Sequence, residues 1–92
     1  QREDGSWLLD GLMPVQELKS RLEIEELPLE EKGFYNTLAG LIMLLAGNLP
    51  KEGEVMHSMG WRFEVVDMDG RRIDKVLAMY MGQAKQDEDL SG

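Results

Sequence analysis

The sequence predicts an α+β domain: a small antiparallel sheet of about four strands with two helices against one face. Three observations predict it. One apolar run, between Asn36 and Pro50, carries its own helix start and stop signals. Two strand-like stretches, residues 61–65 and 71–81, flank Asp69-Gly70, the strongest hairpin signal in the chain. A second helical pattern follows Pro14, with Val15, Leu18 and Leu22 on one face.

Taken in order, residues 1–5 read as the end of a linker. The chain begins Gln1-Arg2-Glu3-Asp4 without a Met, which suggests a piece of a longer protein. Ser6-Trp7-Leu8-Leu9-Asp10 is a short apolar run bounded by glycines and reads as the first strand. Asp10-Gly11 signals a turn, and Leu12-Met13 a further short extended piece. Pro14 suits a first helical position, where a backbone N–H would be unpaired anyway. Glu17 and Arg21 are spaced for an i, i+4 pair along that helix. Residues 23–31 carry five glutamates interrupted by Ile24, Leu27, Pro28 and Leu29, which suits a solvated loop whose Ile and Leu tuck inward. Phe34-Tyr35 should pack against the first turn of the next helix, as in a hydrophobic staple.

That helix starts at a cap from Asn36 or Thr37 and stops at Gly47-Asn48, with Pro50 blocking continuation. Leu38, Leu41, Ile42 and Leu45 form a stripe that Met43 and Leu44 widen, so the helix should be buried nearly all round. Gly40 inside it costs roughly 1 kcal/mol relative to Ala, which a close approach by a strand or helix would offset. Beyond Pro50, Lys51-Glu52-Gly53 turns the chain. Residues 54–58 form a modest strand, and Met59-Gly60 a tight turn. From Trp61 to Val65 polar and apolar residues alternate; Val66 and Met68 then change parity, which signals a bulge. On the return strand Ile73, Leu77, Met79 and Met81 share one parity, and Val76, Ala78 and Tyr80 the other. Residues 82–92 should be a disordered acidic tail.

Composition narrows the function classes. The 92 residues have room for one domain, and 42% hydrophobic content fits a globular one. A formal charge of −8 repels nucleic-acid phosphates and anionic lipid; it favours a cation or a basic protein surface as partner, or simply keeps a small domain in solution. There is no cysteine, and the lone His57 cannot build a histidine metal site. The run 36–50 is far short of the roughly 20 residues that span a bilayer.

No catalytic constellation is present. His57 and Ser58 are adjacent on a strand and point to opposite faces. No glycine-rich loop between strand and helix suggests phosphate binding. Asp67-x-Asp69-Gly70 with Asp74 resembles the start of a calcium loop but lacks its bidentate Glu. Asp67, Asp69 and Asp74 are therefore weak metal candidates, and Asp67 and Asp74 are equally suited to ion pairs with Arg71, Arg72 or Lys75. The seven methionines and the sheet edges make a homodimer a possible assembly. Any regulatory surface is expected on a sheet edge or the acidic loop.

Five segments follow one another in a recognisable order: residues 4–11 (DGSWLLDG), Pro14-Val15-x-Glu17-Leu18, residues 37–41 (TLAGL), residues 49–54 (LPKEGE) and residues 61–76 (WRFEVVDMDGRRIDKV). Together they resemble the transporter-associated domain of the CorC/HlyC family, over Asp4 to about Met81. Trp61 stands where such sequences often carry Tyr. The resemblance makes Asp10, Gly11, Thr37, Leu38, Gly40, Pro50, Gly53, Phe63, Asp69, Gly70, Arg72 and Ile73 family-signature positions of structural kind, within a domain spanning residues 6–81. It implies a parent protein with an integral-membrane domain, a pair of CBS domains and this domain last, on the cytoplasmic face of the bacterial inner membrane. Such parents are magnesium and cobalt efflux or hemolysin-like proteins, and similar domains end some cation antiporters. The implied role is non-enzymatic modulation of ion transport through contacts with the CBS and membrane domains. Alternatives are direct sensing of a divalent cation and, by fold similarity to a subdomain of flavin enzymes, FAD binding.

Overall fold

A computed structural model of the chain describes residues 5–82. Four of the five linker positions, and the tail from residue 83 onward, lie outside the described residues. The strands are β1 (Trp7–Asp10), β2 (Val55–Ser58), β3 (Trp61–Asp69) and β4 (Arg72–Tyr80); the helices are α1 (Val15–Leu22) and α2 (Leu38–Ala46). All pairings are antiparallel, in the order β1-β4-β3-β2. The first strand thus joins the β2–β3–β4 meander in one four-stranded sheet, as the sequence predicts, and takes its place beside β4.

One core lies between the sheet and the helices. Leu9, Phe63, Val65, Ile73, Val76 and Ala78 come from alternate strand positions and Leu18, Leu38, Leu41 and Ile42 from the helices, all at 1% exposure or less. Each of these side chains except the small Ala78 contributes roughly 1.5–3 kcal/mol by leaving water.

Both hairpin turns follow from backbone chemistry. Met59 and Gly60 both have positive φ (59° and 81°), as a two-residue turn matched to strand twist requires. At the second hairpin the loop is Gly70-Arg71, not Asp69-Gly70: Asp69 still pairs with Arg72, and only Gly70 is left-handed. The bulge signalled by Val66 and Met68 is present, between Val65 and Asp67. A second, compensating shift follows, since Asp67 pairs with Lys75 but Met68 with Ile73. Asp74 is the extra residue there. Its insertion carries Ile73 onto the core face with Val76 and Ala78, so Ile73 parts from Leu77 and Met79, its sequence-parity partners.

Other expectations need correction. α1 begins one residue later than predicted: Pro14 is its extended N-cap (ψ 145°), bridged to Thr37. The turn expected at Asp10-Gly11 forms, closed by Met13 N–H to Asp10 O at 3.0 Å, but it takes in Leu12, so Leu12-Met13 is not the extended piece expected. α2 is buried on one side only. Met43 is 43% exposed, and Leu44 and Leu45 only partly covered. A nine-residue helix lies on one sheet, and no other described element reaches its outer side. Of the two aromatics before α2, Tyr35 is buried and donates its hydroxyl to Pro28 O, whereas Phe34 faces solvent. In the acidic loop Leu27 is buried and Ile24 partly so, but Leu29 adopts positive φ and points outward.

Candidate functional site

Asp10, Gly11, Thr37, Leu38, Gly40 and Ile73, half of the positions singled out in the sequence, meet at one joint. Asp10 Oδ1 accepts from Leu12 N–H at 2.8 Å and holds the turn after β1. Gly11 N–H donates to Asp74 O at 2.9 Å, and Gly11 O accepts from Ala39 N–H at 2.8 Å. Leu38 N–H donates to Met13 O at 2.9 Å, and Gly40 N–H to Thr37 Oγ1 at 3.2 Å. The turn after β1 is therefore locked to the β3–β4 hairpin on one side and to the start of α2 on the other. A Cβ on Gly11 would stand 2.1 Å from Ile73 O, which explains the glycine. Gly40 has a similar reason but a different neighbour from the one expected. A Cβ there would stand 2.8 Å from the Tyr35 Cβ, so the close approach comes from the loop entering the helix and not from a strand or second helix.

The same joint bears on flavin binding. A dinucleotide's pyrophosphate commonly sits on free N–H groups at a helix start. In α2 the first three, of Leu38, Ala39 and Gly40, are already bonded to Met13 O, Gly11 O and Thr37 Oγ1. With no glycine-rich strand-to-helix loop and a charge of −8, these residues do not fit the group.

Pro50 and Gly53 form a second structural point. Pro50 is fully buried, and Gly53 has a φ of 89°. Gly53 N–H donates to Val65 O at 2.7 Å, and the Glu52 and Glu54 carboxylates accept from Met68 and Lys51 N–H. Phe63 fills the core centre. His57 is exposed on β2, beside Ser58.

The three aspartates separate. Asp69 lies 3.6 Å from Arg72 across the hairpin turn, both well exposed. Asp67 and Asp74 come together because each sits at a bulge. The Asp74 carboxylate, near enough to share a proton, pushes Asp67 above the usual carboxylate range, and burial and the Glu52 charge act the same way. Asp74 is held low, first by Lys75, whose ammonium lies 3.2 Å away, and then by Asp67. Lys75 in turn is raised by Asp74 and by the charges of Asp10 and Asp67. Of the ion pairs expected of Asp67 and Asp74, only Asp74–Lys75 forms, between sequence neighbours; Asp67 faces a carboxylate. Sequence reasoning missed Glu52 as a member of this patch, because nothing local signals its return to β3. No group of three or more metal-ligating side chains is present among the described residues.

At the opposite end of the sheet, a cleft of about 670 Å³ is lined by Trp7, Trp61 and Tyr80 together with Arg21, Ile24 and Met59. The rings of Trp61 and Tyr80 are 5.2 Å apart. No nucleophile–base pair lines it. Among the described residues no helix is long and apolar enough to cross a membrane.

Comparison with known proteins agrees with this scaffold. The transporter associated domain family CorC_HlyC matches residues 1–79. The UPF0053 protein sll0260 of Synechocystis is 54% identical over 77 residues, covering 84% of this chain but 17% of that protein. The polyamine export protein of Escherichia coli is 38% identical over 76 residues, with 83% and 17% covered. The chain therefore spans about a sixth of the length of these relatives. Among solved structures, the CorC_HlyC domain of a Xylella fastidiosa hemolysin, in complex with Mg²⁺ and Mn²⁺, superposes with a TM-score of 0.76 at 43% identity over 89% of this chain and 95% of that one. With the family model matched over most of its length and a relative 54% identical over 84% of it, the chain belongs to the CorC/HlyC transporter-associated domain family.

Proposed function

We propose that this chain is the non-catalytic accessory domain of a CorC-type membrane transporter, and that it modulates cation transport by protein contact. Its partners are the CBS and membrane domains of its parent chain, on the cytoplasmic face of the membrane, or a second copy of itself. The observation that carries this reading is that a match over nearly the whole domain covers only 17% of the relatives, one of which is named for polyamine export. Asp10, Gly11, Thr37, Leu38 and Gly40 are bonded within the scaffold, whereas Asp69 and Arg72 lie exposed, which supports the surface as the working part. Magnesium or cobalt is the cargo implied by the sequence resemblance, and the Escherichia coli relative adds polyamines as a second cation class. The test is efflux of each cation from cells or vesicles carrying the full-length parent with and without this domain. Reduced transport, or a lost response to cation level, is expected on deletion. Unchanged transport and response would remove the proposal.

A second reading, direct sensing of a divalent cation, is favoured by the Mg²⁺ and Mn²⁺ complex of the Xylella domain and by the paired Asp67 and Asp74 carboxyls. Calorimetric titration with Mg²⁺ and Mn²⁺ distinguishes it. Saturable heat in the wild type that Asp67→Asn abolishes supports sensing, and no heat at millimolar cation ends it.

A further inference from the structure

One end of the sheet carries three rings that the core covers only in part. Strand alternation places Trp7 on the face of Leu9, Trp61 on that of Phe63, and Tyr80 on that of Ala78. All three therefore lie on the helix side of the sheet, where β1 begins and β4 ends. Trp61 and Tyr80 are direct cross-strand partners, with ring centroids 5.2 Å apart and planes tilted by 58°. Trp61 is 7% exposed, but Trp7 is only partly covered and Tyr80 is 56% exposed. α1 stops at Leu22, and the cleft of about 670 Å³ lies between its end and the rings.

The wall facing the rings is acidic. Glu23 and Glu25 line it, and both are exposed. Glu23 is the left-handed residue that ends α1. Both carboxylates thus stand beside a helix C-terminus, whose last carbonyls lack helical partners and carry partial negative charge. Arg21 is the one cation among the described residues of the lining, and its guanidinium is already held by Glu17 at 2.7 Å. Ile24 and Met59 add apolar surface.

Rings and carboxylates together select a class of ligand. The face of an aromatic ring attracts a cation held within about 6 Å of its centre. A hard divalent ion takes oxygen ligands, which the rings do not offer. An anion is opposed by both glutamates. An alkylammonium ion suits every part of the wall: its charge meets rings and carboxylates, and its methylene chain meets Ile24 and Met59. The cleft also falls within the range of about 300–1,000 Å³ usual for small-molecule sites. We propose that this cleft binds a small aliphatic amine with two or more ammonium groups, one at the Trp7, Trp61 and Tyr80 rings and another at Glu23 and Glu25. The site rests on the reading of this domain as an accessory of cation transport for its purpose, and on the cleft alone for its chemistry.

The test is titration of the 92-residue chain with spermidine, followed by calorimetry and by intrinsic fluorescence. Both tryptophans of the chain line the cleft, so the emission reports this site. Saturation at one amine per chain, with a change in emission, is expected. Tyr80→Phe keeps the ring and should bind nearly as wild type does. Tyr80→Leu keeps bulk without a ring face and should bind about threefold more weakly. Glu25→Gln should also weaken binding. Asp69→Asn, the same loss of charge at the far end of the sheet, should not. Circular dichroism confirms that each variant folds. Absence of saturation at millimolar spermidine overturns the proposal. So does binding that Tyr80→Leu leaves intact, or that Asp69→Asn weakens as much as Glu25→Gln, since either means diffuse attraction to the chain's charge. Magnesium chloride at equal ionic strength should leave the emission unchanged; the same saturating change with Mg²⁺ would also overturn the proposal. None of these results bears on transport by the parent protein with and without this domain, so the two readings fail separately.

Discussion

Gly11→Ala is the most informative single substitution. The added carbon would lie 2.1 Å from Ile73 O and 3.0 Å from Ile73 C, both backbone atoms of a central strand, so no side chain can swing aside. The turn after β1 must back away. Backing away stretches Gly11 N–H to Asp74 O and Ala39 N–H to Gly11 O, now 2.9 and 2.8 Å. Two hydrogen bonds each losing about half of a worth of about 0.5–1.5 kcal/mol, with about 2 kcal/mol of overpacking strain, give a loss of about 3 kcal/mol. For a domain of this size that lowers Tm by roughly 12–24 °C. Thermal and urea unfolding followed by circular dichroism measure it. Gly70→Ala is the control: its Cβ would meet nothing within 4 Å, and only the left-handed φ of 65° opposes it, at roughly 1–2 kcal/mol. If Gly11→Ala melts as high as wild type, or no lower than Gly70→Ala, then the turn is not clamped against β4 and the account of the joint is mistaken.

Three further outcomes follow from the same geometry. Thr37→Ala removes the oxygen that caps Gly40 N–H and should cost about 1 kcal/mol by denaturant midpoint; no change would mean the N–H finds another acceptor. Gly40→Leu gains up to about 1 kcal/mol of helix propensity but pushes on the Tyr35 Cβ at 2.8 Å; with overpacking of about 1–3 kcal/mol, a net loss is expected, and an unchanged melting temperature would refute the contact. Glu30 is held below the usual glutamate range by Lys19 at 2.6 Å, then by Leu27 N–H. A lowered folded-state value stabilises above the unfolded one and is lost as pH falls through the folded one. Glu30→Gln should therefore be less stable than wild type at neutral pH, with the difference shrinking as pH falls below the usual glutamate value of about 4.3 and gone only once the lowered folded-state one is passed. A difference that persists into acid would point to packing and not charge.

What the sequence revealed depended on how local the cause was. Strand alternation, the glycine turns, Pro14 and the Thr37 cap act within a few residues, and each element appears within a residue or two of its expected place. The first bulge was visible because Val66 and Met68 break parity themselves. The second was not, since Asp74 is polar and marks neither face, so its effect on Ile73 emerges only from pairing with β3. The exposure of Met43 and Leu44 was hidden for another reason. Apolar character states what a helix can bury, not how many neighbours a small domain can supply. The aspartates divided along the same line. Their spacing hinted at ligation, but the bulges decide that Asp67 meets Asp74 while Asp69 goes to Arg72. An apolar pair on the sheet face turned from the helices was hidden in the same way. Leu8 and Leu77 become neighbours only through the long-range pairing of β1 with β4, so no local signal marks that face.

That pairing has a mechanical side. Trp7 lies opposite Ala78, so the described chain arrives at β1 and departs from β4 at the same end of the sheet. Tension drawn through both ends would meet the β1–β4 hydrogen bonds one at a time, as a zip opens, and not all together as in shear. The domain would then yield to a weaker pull than one loaded in shear. The first strand to leave would be β1, which carries Leu8 and, through the Asp10-Gly11 turn, holds the start of α2. A movement of the segments joined to the domain could in this way loosen the whole unit without any ligand touching it.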